Sequence, residues 1–389
     1  MTTALLLGLA SLLRPEIIEV PFRIGDHAII LDAEVNGKSI SCMFDTGFSG
    51  MFVLSDEVNV GKPTGETTIK DFVGVAKMKT IAIQSLKLAG HAMEKTDKEI
   101  IQEPGGSDYS FSYGTHVDGI MGLAVVSSYV VEINFQRKVM LLHPRSTDIT
   151  QRTPDNKTTF MAKMLPIGNK SIELLVKTDS GESMTLALDT GNGFYATTHK
   201  DVLERVGIWK EGRAVQFMKQ SFVATGAVDS WYCRLKGLKV FGVPVAESVW
   251  SIIDLPSSSA SGDGTVGFGF LKNFNITVDM ERRRVWLENF SGKVTEEQPA
   301  HTGLTAIYDP RAKRVRVARV TPDSPADKAG IKRGDFLIAI GDTNMASQSY
   351  RAIDALMEGA PGSEVRIQTS RNNSLKTSVL KRVVMVNDP

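Results

Sequence analysis

Apolar residues occupy every second position over residues 29–35 and again at positions 40, 42 and 44. This period-two pattern is typical of strands with one buried face. Between the two stretches, Asn36-Gly37 favours a hairpin turn. The same arrangement returns at residues 172–176 and 184–188, on either side of an Asp-Ser-Gly turn. We therefore predict two β-hairpins, each of which leads directly into an Asp-Thr-Gly triplet.

The second hairpin repeats the first. The segment ISCMFDTG at residues 40–47 returns as MTLALDTG at residues 184–191, an offset of 144, and DGIMG at residues 118–122 returns as DGTVG at residues 263–267, an offset of 145. Because the two motifs recur at almost the same offset, we predict a duplicated unit of about 145 residues. Beyond residue 302 the pattern changes to strands at 315–320 and 336–340 and a helix at 350–358. Ser324 is the predicted N-cap and Gly330 the predicted C-terminal cap of a further short helix, so we expect a small α+β module.

Composition and charge narrow the class of protein. The chain has 389 residues, of which 42% are hydrophobic and 23% charged, as in an ordinary globular protein of two or three domains. The 45 basic and 44 acidic residues nearly balance, so we expect no nucleic-acid partner. Two cysteines and six histidines without ligand spacing predict no metal and no cofactor. Cys42 and Cys233 are expected to be buried small hydrophobic residues.

The N-terminus carries a ten-residue apolar run, ALLLGLASLL, at residues 4–13. This is the length of a signal-peptide core and is too short to span a bilayer. No basic residue precedes the run, and no clean cleavage site follows it. Residues 1–17 are predicted to be a signal peptide or an N-terminal segment. The protein is expected to be exported, and a cytoplasmic location stays open.

The duplicated triplets suggest a chemistry. If the two units pack about a pseudo-two-fold axis, Asp45 faces Asp189. Two carboxylates in contact cannot both ionise, so they share a proton. One can then act as a base on water while the other donates a proton to a carbonyl. Gly47 and Gly191 fit this arrangement because a residue without Cβ allows two backbones to approach closely.

The two triplets, each followed 73 or 74 residues later by an Asp-Gly motif, resemble the bilobal aspartic proteases, in particular bacterial retropepsin-like aspartyl proteases. The resemblance covers about residues 18–290. It implies a mainly β fold of two homologous acid-protease-type β lobes (18–145 and 160–290), with a protein or peptide substrate and an active monomer. It implies catalytic roles for Asp45 and Asp189. Thr46 and Thr190 would brace this pair through the backbone of the other lobe.

The C-terminal segment resembles a bacterial PDZ domain in its Ser-Pro-Ala, Ala-Gly-Ile and Arg-Gly-Asp motifs between residues 324 and 335. The resemblance implies a domain over residues 302–387 that binds a peptide as an added strand. Gly303, Leu304, Thr305 and Ala306 would then hold the terminal carboxylate of a C-terminal peptide ligand.

The chain departs from pepsin-type enzymes at the position after each triplet. Those enzymes have a Ser or Thr there that bonds the catalytic pair, whereas this chain has Phe48 and Asn192. One hydrogen-bond donor to the charged pair is therefore expected to be missing, which predicts a pH optimum less acidic than that of a digestive protease. Residues 61–74 are the candidate flap, and no tyrosine marks it.

Other assignments of the acidic and nucleophilic residues are weaker. Asp118 and Asp263 each precede glycine and are expected to be turn residues that bond their own backbone. A glycosidase also uses two carboxylates, but from non-equivalent positions. Ser49 lacks supporting residues for a serine protease. The alternative from another class is a catalytically silent peptide-binding scaffold, in which only the C-terminal module is functional.

Overall fold

The computed structural model describes residues 17–70, 75–94, 99–103, 110–166, 171–210, 217–223, 226–259, 262–295, 298–309, 312–346 and 348–389. Within these ranges the chain is mainly β. None of the helices in these ranges has the length and apolar character needed to cross a membrane. The apolar run at residues 4–13, predicted as the core of an export signal, lies outside the described residues.

The regular elements of the first copy of the repeat are nearly all strands. Its strands are β1 (Ile18–Gly25), β2 (Ala28–Val35), β3 (Lys38–Asp45), β4 (Phe52–Ser55), β5 (Gly65–Lys70), β6 (Val75–Ala82), β7 (Leu86–Leu88), β8 (His91–Ala92), β9 (Glu99–Glu103), β10 (Gly119–Gly122), β11 (Val130–Asn134) and β12 (Val139–His143). The helical turns are α1 (Ser110–Tyr113) and a 3-10 helix (Leu123–Val125).

The second copy has the same character. Its strands are β13 (Thr159–Lys163), β14 (Glu173–Thr178), β15 (Ser183–Leu188), β16 (Ala196–His199), β17 (Met218–Val223), β18 (Gly226–Val240), β19 (Val243–Ile253), β20 (Gly264–Val266), β21 (Phe274–Asp279) and β22 (Arg284–Asn289). Its helices are α2 (Lys200–Arg205), α3 (Phe268–Leu271) and a 3-10 helix (Ser257–Ser259).

Residues 298–389, called the C-terminal module below, combine strands and helices. The strands are β23 (Leu304–Asp309), β24 (Arg314–Val320), β25 (Phe336–Ile340), β26 (Thr343–Asn344), β27 (Glu364–Arg371) and β28 (Ser374–Lys381), and the helices are α4 (Pro325–Lys328) and α5 (Tyr350–Met357). The predicted caps are present: the Ser324 hydroxyl accepts the N–H of Asp327, and Gly330 follows α4 with a φ of 74°.

Both predicted hairpins form. Strands β2 and β3 pair antiparallel, and Asn36 and Gly37 between them have φ values of 50° and 76°, as a tight hairpin turn requires. Strands β14 and β15 pair in the same way. The prediction of a single buried face is wrong for the first hairpin. Ile30 and Met43 are also buried, because Val117 packs with them on the second face.

The two copies share a sheet and a core. Strand β1 pairs with β12 through its first half and with β2 through its second half, which links β13, β22, β21, β11 and β12 to the strands of the first hairpin. One cluster of buried apolar side chains draws on both copies. The C-terminal module has a sheet and a core of its own, which marks it as a separate folding unit.

The C-terminal module nevertheless contacts both copies. The Ser349 hydroxyl donates a hydrogen bond to the Asp26 carboxylate, and the ring of Tyr308 stacks on that of Phe111 with centroids 3.7 Å apart. On the side of the second copy, the Thr321 hydroxyl donates to the Met218 carbonyl over 3.0 Å. The module is thus held against the rest of the chain by contacts from two directions.

Candidate active site

Asp45 and Asp189 lie at equivalent points of the two copies. Asp45 is the last residue of β3, and β10 runs parallel to β3 so that Gly122 lies beside it. Asp189 directly follows β15, and its N–H donates to the carbonyl of Val266 at the end of the parallel strand β20. In each copy the strand from the Asp-Gly motif therefore fixes the backbone of the aspartate.

The two triplets bond each other through their threonines. The Thr46 hydroxyl donates to the Leu188 carbonyl and the Thr190 hydroxyl donates to the Phe44 carbonyl, both over 2.7 Å. Each hydroxyl also accepts the backbone N–H of the other threonine, at 3.0 Å. Both threonines are buried. This reciprocal set of four bonds brings the aspartates of the two copies together.

The two aspartates form a hydrogen-bonded pair. Their side chains bond each other. One oxygen of Asp45 also accepts the N–H groups of Gly47 and Phe48, at 2.7 and 3.1 Å. Asp189 accepts the equivalent pair of N–H groups in its own loop, at 2.9 and 3.1 Å. Such backbone donors hold each carboxyl in one orientation and favour its charged form.

Burial raises the pKa of both carboxyls, although each keeps some exposed surface. For Asp45 the charge of Asp189 adds to the effect of burial, and its pKa lies well above the ordinary value. For Asp189 hydrogen bonds oppose the effect of burial, and its pKa is still raised. A carboxylate withdrawn from water loses its hydration, and a second negative charge in contact adds repulsion. The pair therefore retains a proton at pH values where an isolated aspartate has lost it.

Glycine is required after each threonine. A Cβ placed on Gly47 would lie 2.7 Å from the carboxyl carbon of Asp189, and one on Gly191 would lie 2.5 Å from that of Asp45. Each glycine therefore packs against the carboxyl of the opposite copy. Any side chain at these positions would push the two aspartates apart.

Phe48 and Asn192 follow the two triplets, so neither position offers the Ser or Thr hydroxyl of pepsin-type enzymes. Among the described residues, the expected lack of a hydroxyl donor holds for Asp45 but not for Asp189. Thr265, from the second Asp-Gly motif, hydrogen-bonds Asp189 with its hydroxyl. The first copy has Ile120 at the equivalent position. Sequence reasoning missed Thr265, although the comparison of DGIMG with DGTVG contained the signal.

Tyr113 is a second residue that sequence reasoning missed. It lies at the end of α1, and its surroundings include both carboxyls of the pair. Burial, followed by the charge of Asp45, raises the pKa of its hydroxyl well above the ordinary value. Tyr113 is therefore a neutral side chain close to the pair. No motif marks it, since its position follows from the packing of α1.

Asp118 and Asp263 play a structural role that differs from the prediction. The Asp118 carboxylate accepts the N–H of Ser41, and the Asp263 carboxylate accepts the N–H of Thr185, both over 2.8 Å. These partners lie on β3 and β15, so the prediction that the aspartates bond their own backbone is wrong. The two carboxylates instead attach each Asp-Gly motif to the strand that carries the triplet.

The candidate flap at residues 61–74 contains β5, which pairs antiparallel with β6. Residues 71–74 lie outside the described residues. The described part is therefore an arm of two antiparallel strands.

The predicted peptide-binding loop lies at the start of β23. Gly303 has a φ of 87°, and its N–H donates to Nδ1 of His301 over 2.9 Å. Leu304, Thr305 and Ala306 are buried. Strand β23 is an edge strand of its sheet, and α5 packs on it. The Thr305 hydroxyl is buried without a hydrogen-bond partner among the described residues.

The described residues contain no group of three or more His, Cys, Asp or Glu side chains placed to hold a metal ion. Both cysteines are free and buried, as predicted.

Comparison with known proteins identifies the C-terminal module. Residues 316–371 match a family model described as a PDZ domain. Among solved structures, the photosystem II D1 C-terminal processing protease matches with 28% identity over 23% of this chain and 24% of its own chain, at a TM-score of 0.22. This chain therefore spans about a quarter of that protease. No curated protein matches the chain. The predicted PDZ domain is confirmed over the matched residues.

Proposed function

We propose that this protein is an aspartic endopeptidase in which Asp45 and Asp189 hydrolyse peptide bonds. In this proposal residues 18–145 and 160–290 are two lobes related by a pseudo-two-fold axis, as in the retropepsin-like aspartyl proteases. The observation that carries the proposal is the hydrogen-bonded pair of carboxyls, held by the reciprocal threonine bonds. Structural aspartates in ordinary turns do not require such an arrangement.

The mechanism follows from the shared proton. The ionised carboxylate takes a proton from a water molecule, whose oxygen attacks the carbonyl carbon of the scissile bond while the protonated carboxyl donates its proton to the carbonyl oxygen. The carboxyl that took the proton from water then gives it to the amine nitrogen as the C–N bond breaks, and the hydroxyl proton of the intermediate returns to the other carboxyl. The raised pKa of the pair supplies one acid and one base at the same pH. The backbone N–H groups of both loops hold the carboxyls in place throughout.

The PDZ domain gives the protein a peptide-binding role. In the proposal, residues 302–387 bind a peptide or a C-terminus along the edge strand β23. The same domain supports a second candidate function, a catalytically silent peptide-binding scaffold. Peptide binding alone would suit such a scaffold, whereas the carboxyl pair favours the enzyme.

Cleavage of an unstructured protein tests the proposal. Casein is incubated with the wild type, Asp45→Asn and Asp189→Asn across pH 3 to 8, with and without pepstatin. We expect cleavage by the wild type that pepstatin inhibits and that both variants lose. If folded wild type, and a form lacking residues 300–389, both leave casein and an unbiased peptide library intact, the scaffold function replaces the enzyme.

A further inference from the structure

The two halves of the candidate active site have the same backbone but different side chains. In the first copy the N–H of Leu123 donates to the Phe48 carbonyl, and in the second the N–H of Phe268 donates to the Asn192 carbonyl, at 2.8 and 2.7 Å. The loops after the two triplets are therefore attached to the Asp-Gly motifs in the same way. We therefore attribute any difference in proton affinity between the two carboxyls to the side chains around them.

Three equivalent positions differ in polarity. The second copy has Asn192, Thr197 and Thr265, and the first copy has Phe48, Val53 and Ile120. The strand registers confirm the equivalence, since Thr197 pairs with Thr265 and Val53 pairs with Ile120. The second copy thus has polar side chains at three positions where the first copy has apolar ones.

The hydrogen bonds of the second copy have a defined direction. The Asn192 Oδ1 accepts the N–H of Phe194 over 2.9 Å, so its Nδ2 faces the threonines. That Nδ2 donates to the hydroxyl oxygens of Thr265 and Thr197, at 2.7 and 3.1 Å. Because the Thr265 oxygen accepts from Asn192, its own proton is free to bond Asp189. The chain of donors therefore ends at the Asp189 carboxylate.

We propose that Asn192 and Thr265 are positioning residues that keep the negative charge of the pair on Asp189 and the proton on Asp45. This inference rests on the proposed function and makes Asp189 the base towards water and Asp45 the acid towards the carbonyl. A donated hydrogen bond stabilises a carboxylate more than a neutral carboxyl. The first copy offers Asp45 no side chain of this kind at the equivalent positions.

Two further titratable side chains belong to the surroundings of the candidate site. Tyr113 has both carboxyls in its electrostatic surroundings and stays neutral, because burial raises its pKa. His27 packs against the loop of the second copy, with its Nδ1 2.8 Å from the Gly193 carbonyl and its ring stacked on Phe268. The variant His27→Gln removes this imidazole, so any titration that remains in the variant does not come from His27.

The test follows each carboxyl separately, since the two titrations are coupled. The full chain is labelled with ¹³C at the aspartate carboxyls, and the two resonances are assigned from Asp45→Asn and Asp189→Asn. We expect Asp189 to ionise first. The variant Thr265→Val should raise that first pKa by about one unit, the size of one hydrogen bond to a charged group. Thr265→Ser should restore the wild-type value.

Two variants of the first copy complete the experiment. Ile120→Val changes the same position beside Asp45 without adding a donor and should leave the order of ionisation unchanged. Ile120→Thr adds a hydroxyl there and should lower the pKa of Asp45. The proposal is wrong if Asp45 ionises first, or if folded Thr265→Val keeps the wild-type titration. Absence of proteolysis would overturn the proposed function, while the resonances would still decide where the proton lies.

Discussion

Nζ of Lys219 lies 2.7 Å from Oδ2 of Asp354, and the two side chains are only 3% and 5% exposed. The pair joins β17 of the second copy to α5 of the C-terminal module. Asp354 also accepts Arg351 and lies 3.2 Å from Nε2 of His301. Of these three partners only Lys219 lies outside the module, so the buried carboxylate keeps its lysine only while the module stays against the second copy.

Loss of the lysine should destabilise the protein. The variant Lys219→Met leaves the Asp354 charge buried with fewer partners, and we expect the free energy of unfolding to fall by about 3 kcal/mol. Denaturation in urea measures this free energy of unfolding. The control is Lys236→Met, which removes an ion pair with Asp388 whose side chains are 55% and 43% exposed. This variant should lose less than about 1 kcal/mol. Equal losses in the two variants would contradict the prediction.

Removal of one carboxyl of the Asp45–Asp189 pair should stabilise the fold near neutral pH. The folded pKa of Asp45 is raised, so its contribution to stability is present below the unfolded pKa and is lost as pH rises through the folded pKa. Asp45→Asn removes this loss, so we expect the free energy of unfolding to be higher in the variant than in the wild type at pH 7.5. The gain should vanish near pH 3. Thermal unfolding at both pH values checks it, with exposed Asp254→Asn as the control. A gain of equal size at pH 3 and pH 7.5 would refute this explanation.

The threonine bonds between the triplets should contribute strongly to stability. Thr190→Val keeps the shape of the side chain but leaves the Phe44 carbonyl and the Thr46 N–H without their buried partner. We expect a loss of about 2–4 kcal/mol in urea denaturation, since each unsatisfied buried group costs about 1–3 kcal/mol. Thr190→Ser retains the hydroxyl and should lose clearly less. If serine and valine are equally destabilising, the methyl group and not the hydrogen bonds stabilises this site.

A methyl group on Gly191 should separate the carboxyls. Its Cβ would lie 2.5 Å from the carboxyl carbon of Asp45, so Gly191→Ala must displace that side chain. We expect the rate of casein cleavage to fall by about 100-fold, because a displacement of about 1 Å in a catalytic group has this effect. Gly193→Ala is the control in the same loop, where the new Cβ meets no atom closer than 3.5 Å. Circular dichroism should show both variants folded. Undiminished cleavage by folded Gly191→Ala would argue against the carboxyl pair as the catalytic site.

Local sequence patterns predicted most of the strands around the site. The alternation before Asp45 and Asp189 and the turn at Asn36-Gly37 are short-range signals, and the hairpins formed where those signals lie. The helix caps at Ser324 and Gly330 are short-range signals of the same kind. Patterns of this kind are reliable because the backbone conformation of a few residues depends mainly on those residues.

The two Asp-Thr-Gly hairpins can be identified as copies of one unit from the amino-acid sequence alone, because a repeat is a similarity between two stretches of that sequence. The folded structure is needed to know which distant groups meet. It placed the Thr265 hydroxyl on Asp189, brought Tyr113 near the carboxyls, and paired Lys219 with Asp354 across 135 residues. It also gave Asp118 a partner on β3 where the sequence favoured a local turn. Such contacts depend on how whole strands and helices pack, and no local pattern encodes that packing.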